Sequence, residues 1–178
     1  MTVPLHPTSN RVSLKPMSTP ERTEYNSGYI RPTTDEDCLT VAADMRHIDK
    51  LECLLSNNAM LPLHALRHGL ESDYETWTVC SRKDDEAMAC FGIGSLYKDE
   101  TNYIWLLCTD RLLEEASFEF AKASRKWVSY LVNKYKLPCV NQVHCYNYAA
   151  IRWLKWCGAE FDHTIPSDFI PFQLNPSE

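Results

Sequence analysis

The 178-residue sequence has no Lys/Arg run longer than a pair, no Cys-x-x-Cys pairing, no internal repeat and no long apolar stretch. Each absence removes a class of function. Nucleic-acid binding wants a basic stripe, and the net charge here is −6. A membrane-spanning helix needs about 18 consecutive apolar residues, so no membrane role is expected. A structural metal wants ligands paired at short spacing. Cys139, His144 and Cys145 lie close together, but neighbours on a strand point to opposite faces, and no metal site is expected. His64 and His68 have metal spacing without a third ligand nearby and read as a solvated helix face.

What is present suits one domain. Hydrophobic residues make up 44% of the chain and charged residues 24%, an ordinary balance for a folded protein. The eight cysteines mostly sit inside apolar runs such as AMACFGIG and IWLLC, with no signal-peptide pattern before them. They read as small buried hydrophobes. Residues 1–28 differ: they hold four of the ten prolines and few large apolar residues. This stretch reads as an extended arm ahead of a domain over 29–178, unable to fold alone. Its net charge is +1, with Arg11, Lys15 and Arg22 available to a partner, against −7 for the remainder.

The domain's elements follow from periodicity. Residues 29–32 form a short strand, and Thr34 with Asp37 makes a capping box for a helix, or two, over 35–55. Asp44, Arg46, Asp49 and Glu52 read as a charged helix face, solvated or used for docking, with Arg46 and Asp49 as the partner-facing pair. A further helix over 63–69 ends at Gly69. YETWTVC (74–80), AMACFGIGSL (87–96) and YIWLLC (103–108) are strands joined by charged turns. In the second, Gly92 and Gly94 mark a bulge. Asp110 caps a long helix over 111–135 whose apolar residues recur at three and four. In NQVHCYNYAAIRWLKWCGAEF, residues 141–146 are a strand, Asn147 an N-cap, 148–157 a helix and Gly158 its stop. The order indicates a mixed α/β (α+β) architecture, a mainly antiparallel sheet with helices on both faces.

That order, with Asn147, Ala150, Trp153, Leu154, Gly158 and Ala159 at the family's spacing, resembles the GCN5-related N-acetyltransferase (GNAT) fold. More narrowly, RPTTDED, DMRHIDKLE, TDRLLEE, NYAAIRWLKWCGAEF and the terminal FQL resemble the internal virion protein A family of T7-like short-tailed phages. The first resemblance implies acetyl-CoA bound at a helix N-terminus through an Arg/Gln-x-x-Gly-x-Gly/Ala loop. Arg111 and Ala116 match that loop, and Asn147 matches a second cofactor contact, but Glu114 stands at the glycine position with Glu115 beside it. A carboxylate about 5 Å from a phosphate charge costs about 3 kcal/mol at an effective dielectric near 20. The resemblance also implies a tyrosine acid where Leu154 stands, and no carboxylate lies on strand 103–108 to act as base. Cys108 reads as a core thiol rather than a nucleophile.

The expectation is therefore no catalytic residue and no cofactor. The second resemblance then implies a non-catalytic acetyltransferase-like module binding protein partners in a phage particle or its assembly, in the host cytoplasm or the virion. The alternatives are an acetyl-CoA-dependent N-acetyltransferase with an atypical cofactor loop and a phage modulator of a host enzyme.

Overall fold

The computed structural model describes residues 23–56, 59–97, 100–164 and 166–177. Most of the expected arm, with Arg11, Lys15 and Arg22, lies outside them. Its last residues join the sheet: β1 (Thr23–Glu24) pairs antiparallel with β2 (Gly28–Pro32). Three helices follow, α1 (Asp35–Ala43), α2 (His47–Leu55) and α3 (Pro62–Ser72). The central meander is β3 (Glu75–Ser81), β4 (Ala87–Tyr97) and β5 (Thr101–Cys108). Then come α4 (Asp110–Glu115), α5 (Ser117–Tyr135), β6 (Cys139–His144), α6 (Tyr148–Cys157), β7 (Glu160–Phe161) and β8 (Phe169–Leu174).

All eight strands form one sheet, ordered β1-β2-β3-β4-β5-β6-β8-β7. Every neighbouring pair is antiparallel except β5 with β6. The helices cover both faces. On one, α4, α5 and α6 bury Leu112, Phe120, Trp127, Leu131 and Leu154 against Val79, Phe91, Ile93 and Ile104. Trp127 anchors that layer, its ring 4.9 Å from Trp77 and 5.7 Å from Phe91, a spacing at which aromatic pairs add to plain burial. On the other face α1 and α3 contribute Cys38, Val41 and Leu66 to a second cluster with Cys90. All eight cysteines are free, and six of them are buried.

Local chemistry sets the helix ends. Thr34 Oγ1 accepts from the Asp37 amide at 3.3 Å while Asp37 accepts from the Thr34 amide at 2.8 Å, the reciprocal box. Arg31 on β2 grips the same Asp37 carboxylate at 2.6 and 2.8 Å, tying α1 to the sheet. Asn147 caps α6 through Ala150 N, and Gly158 ends it at φ 95°.

Three details depart from the sequence reading. The long helix is broken at Ala116 (φ −135°, ψ 8°), so that α4 and α5 are separate. Gly69 lies inside α3, not at its end; a Cβ there would collide with the Trp105 ring. Gly92 and Gly94 sit in regular register with Trp105 and Tyr103, and the irregularities fall at Val79/Cys80 and Ser95/Tyr97. A Cβ on Gly94 would meet the Asp73 carboxylate and the Tyr103 ring, so glycine there makes room for a side chain packed across the sheet.

Two glycine variants separate steric from conformational need. Gly94→Ala should cost about 1–3 kcal/mol by overpacking. Gly158→Ala has open space around its Cβ and should lose only the about 1–2 kcal/mol of a left-handed residue. Urea unfolding of both variants checks the pair.

Candidate active site

The one parallel pairing in the sheet is also its shortest interior contact. β5 and β6 are in register only at Asn102↔Cys139 and Tyr103↔Val140. Asn102 N donates to Pro138 O at 2.9 Å, and the Asn141 side chain reaches Ile104 O at 2.9 Å. Beyond that the strands part. Backbone polar groups alternate along a strand, so Asn102, Ile104, Leu106 and Cys108 turn theirs toward β6. Cys108 finds α2 instead: its N–H donates to Asp49 Oδ2 at 3.0 Å and its C=O accepts from Arg46 N at 2.9 Å. Among the described residues no hydrogen bond reaches Leu106 from that side. The fork opens into a cleft of about 1950 Å³, walled by α2 and α3 on one side and by α5 and α6 on the other.

The helix α2 bridges the two arms of the fork. Asp49, 1% exposed, holds Arg46 at 3.2 and 2.5 Å as well as the end of β5. One turn on, Glu52 Oε1 accepts from His144 N at the end of β6 (2.8 Å) and from Asn147 Nδ2 (3.0 Å). Asn147 Nδ2 also lies 3.5 Å from Asp49 Oδ1. Glu52 Oε2 has no hydrogen-bond donor among the described residues, and the side chain lines the cleft. Burial pushes the Glu52 carboxyl above its ordinary range, against the two N–H donors that lower it.

Several expected site residues are placed differently. Arg46 and Asp49, expected on a docking face, are buried at 8% and 1% exposure and satisfy one another. Arg111, expected beside a cofactor, faces the β3–β4 hairpin, where Glu86 (2.7 Å) and Asp84 (2.8 Å) engage its guanidinium together with Glu115 of its own helix (2.8 Å). Asn147 does line the cleft. Glu115 is bound to Arg111 and Ser81, and Glu119 to Ser27 N at 2.8 Å. Neither they nor Glu114 line the cleft, whereas Leu113, Ser117, Phe118, Lys122 and Arg152 do. Glu160 and Asp162 line it at the β7 edge. The first turn of α5 has no side-chain cap, which leaves its amides available. Of the carboxylates near that turn, Glu115 and Glu119 are thus engaged elsewhere, by Arg111, Ser81 and Ser27. Cys108 is a buried thiol pushed well up by burial and by Asp49, and Leu154 belongs to the core.

Glu52 was hidden because three acids and an arginine within nine residues look like a solvated surface. The available signal was Cys53 beside it and Asp49 one turn before: cysteine is among the most buried residue types, which marks that face as inward.

No family model and no curated sequence matches the chain. Solved structures do. A GNAT-family acetyltransferase from Bacillus anthracis superposes with a TM-score of 0.59 at 10% identity, over 85% of this chain and 95% of that one. The ribosomal-protein-S5-alanine acetyltransferase of Vibrio fischeri gives 0.58 at 9%, over 88% and 97%. The yncA protein of Salmonella typhimurium, solved with its cofactor acetyl-CoA, gives 0.57 at 17%, over 86% and 96%. The fold is that of the GNAT acetyltransferases. The expectation of no cofactor is corrected by the last of these, whose fold holds acetyl-CoA. Nothing in the comparisons connects the chain with internal virion protein A or with a phage particle. Among the described residues no helix is long and apolar enough to cross a membrane.

Asp49→Ala strands the Arg46 guanidinium, whose side chain is 9% exposed, without its carboxylate. A loss of about 3–5 kcal/mol is expected for breaking a buried pair from one side, read by chemical denaturation.

Proposed function

We propose that the protein is an acetyl-CoA-dependent N-acetyltransferase with an atypical cofactor loop, and that Glu52 is its general base. The observation that carries the proposal is the fork between β5 and β6. An unpaired strand edge at Leu106 opens onto a large cleft, and a partly desolvated carboxylate lines that cleft with one oxygen held and the other free.

The residues present fit the cofactor. Leu106 offers a backbone N–H and C=O to an extended amide-bearing chain, as a neighbouring strand would. The uncapped first turn of α5, with Lys122 and Arg152 on the cleft wall, suits phosphate groups. The glycine that the loop lacks would have kept a side chain away from phosphate; here Glu114 and Glu115 stay out of the cleft, and Arg111 neutralises Glu115. Bound acetyl-CoA supplies an activated acyl thioester whose thiol is the leaving group.

The chain's own part is to position an amine and remove its proton. Glu52 Oε1 is fixed by two N–H donors, which leaves Oε2 to accept that proton. A carboxyl raised by burial is a stronger base than an exposed one, closer to the operating pH. The base works ionised, so activity rises with pH through the Glu52 pKa, above the usual carboxylate range. Leu154 occupies the position of the family's acid and donates no proton. A thiol of pKa about 8.5 leaves as thiolate without one.

Acetyl-CoA at about a hundred times its Kd should stabilise the protein by about 2.7 kcal/mol in thermal unfolding. Glu52→Gln should keep that shift yet lose about 10²–10⁴ in kcat, the range of general-base catalysis. No stabilisation by acetyl-CoA would overturn the proposal. Stabilisation with full activity in Glu52→Gln would remove Glu52 from it.

A further inference from the structure

We infer that Asn147 is a positioning residue: its side-chain amide joins the cap of α6 to the carboxylate of Glu52, and so aims the free oxygen of Glu52 into the fork. The inference rests on Glu52 as the base and concerns what holds it.

Asn147 is 3% exposed and uses its two ends differently. Oδ1 accepts from Ala150 N at 3.3 Å, which caps α6. Nδ2 donates to Glu52 Oε1 at 3.0 Å and lies 3.5 Å from Asp49 Oδ1. A cap alone needs only the first end, and serine or aspartate supplies that as well as asparagine does. Aspartate has no donor to offer, and serine has one short hydroxyl rather than two separate polar ends. Because Nδ2 and His144 N converge on the same oxygen, the carboxylate is held at one atom, and Oε2 has no donor among the described residues in a side chain that lines the cleft. Asp49 is pinned in turn by Cys108 N and Arg46, so Asn147 spans two carboxylates, each fixed to a different arm of the fork.

The titratable and charged groups around Glu52 are Asp49 and Cys53 on α2, Arg46 at its N-cap and His144 on β6. Asp49 opposes ionisation of Glu52, and Arg46 and the Asn147 donor favour it. Loss of the donor must therefore raise the Glu52 midpoint, and a carboxylate in its place must raise it further.

The test is carboxyl-carbon NMR titration of Glu52 in the full chain as wild type, Asn147→Ser and Asn147→Asp, beside the pH profile of kcat/KM. Both replacements keep the cap, so any fall in melting temperature should come from the carboxylates: small in Asn147→Ser, larger in Asn147→Asp, where a third buried carboxylate joins Asp49 and Glu52, and shrinking as the pH is lowered. The Glu52 midpoint should rise in Asn147→Ser and more in Asn147→Asp, with the acidic limb of the rate profile moving equally and the KM for acetyl-CoA unchanged. In the wild type itself, the Asn147 side-chain amide signals should follow the Glu52 midpoint and stop doing so in Glu52→Gln. An identical Glu52 midpoint in all three proteins, or Asn147 amide signals indifferent to it, would overturn the inference. A midpoint that moves while the rate profile does not, or without any acetyl transfer, would leave Asn147 in control of Glu52 and remove the role of Glu52 as base.

Discussion

The parting of β5 from β6 after two paired residues is the constraint on which the site depends. Two parallel strands in continued register would satisfy each other's backbone and leave no cleft. Here they diverge, and the exposed polar groups need other partners. Asn141 meets Ile104, α2 meets Cys108, and α2 with Asn147 meets the end of β6. Among the described residues, no hydrogen bond reaches Leu106 on the side that faces the opening. The fork is thus stabilised at its apex and at both tips, and open in between.

Such bracing requires charge in a protein interior, which is costly unless paired. Asp49 meets the cost with Arg46 and a strand amide, Glu52 with two N–H donors. Glu52 retains an oxygen outside the network, and that asymmetry separates the structural carboxylate from the one available for chemistry. On the far side of the fork the opposite device operates. Glu115 at the end of α4 and Glu119 in the first turn of α5 are engaged by Arg111, Ser81 and Ser27, while Lys122 and Arg152 line the cleft.

Much of the fold was legible because it is decided locally. Asn147 and Gly158 bound α6 through their own side-chain and backbone chemistry, and the β-branched, aromatic and apolar runs that mark β3 to β5 are properties of consecutive residues. Where the reading failed, distant contacts decide. Ala116 breaks the long helix although nothing in its identity demands a break. Gly69 and Gly94 answer to Trp105, Asp73 and Tyr103, not to turns. The charged pattern of α2 reads as surface because the partners that bury it lie 59 residues away at Cys108 and 98 away at Asn147. For the same reason a carboxylate's position in sequence, as with Glu114 and Glu115, says little about which way it points.

The central claim is that the fork between β5 and β6 is a cofactor slot. Amide hydrogen exchange at Leu106, measured with and without acetyl-CoA, tests it most directly. The account predicts that acetyl-CoA slows exchange at Leu106, while Cys108, already bonded to Asp49, changes little. Unchanged exchange at Leu106, with acetyl-CoA protecting another surface or none, would contradict it.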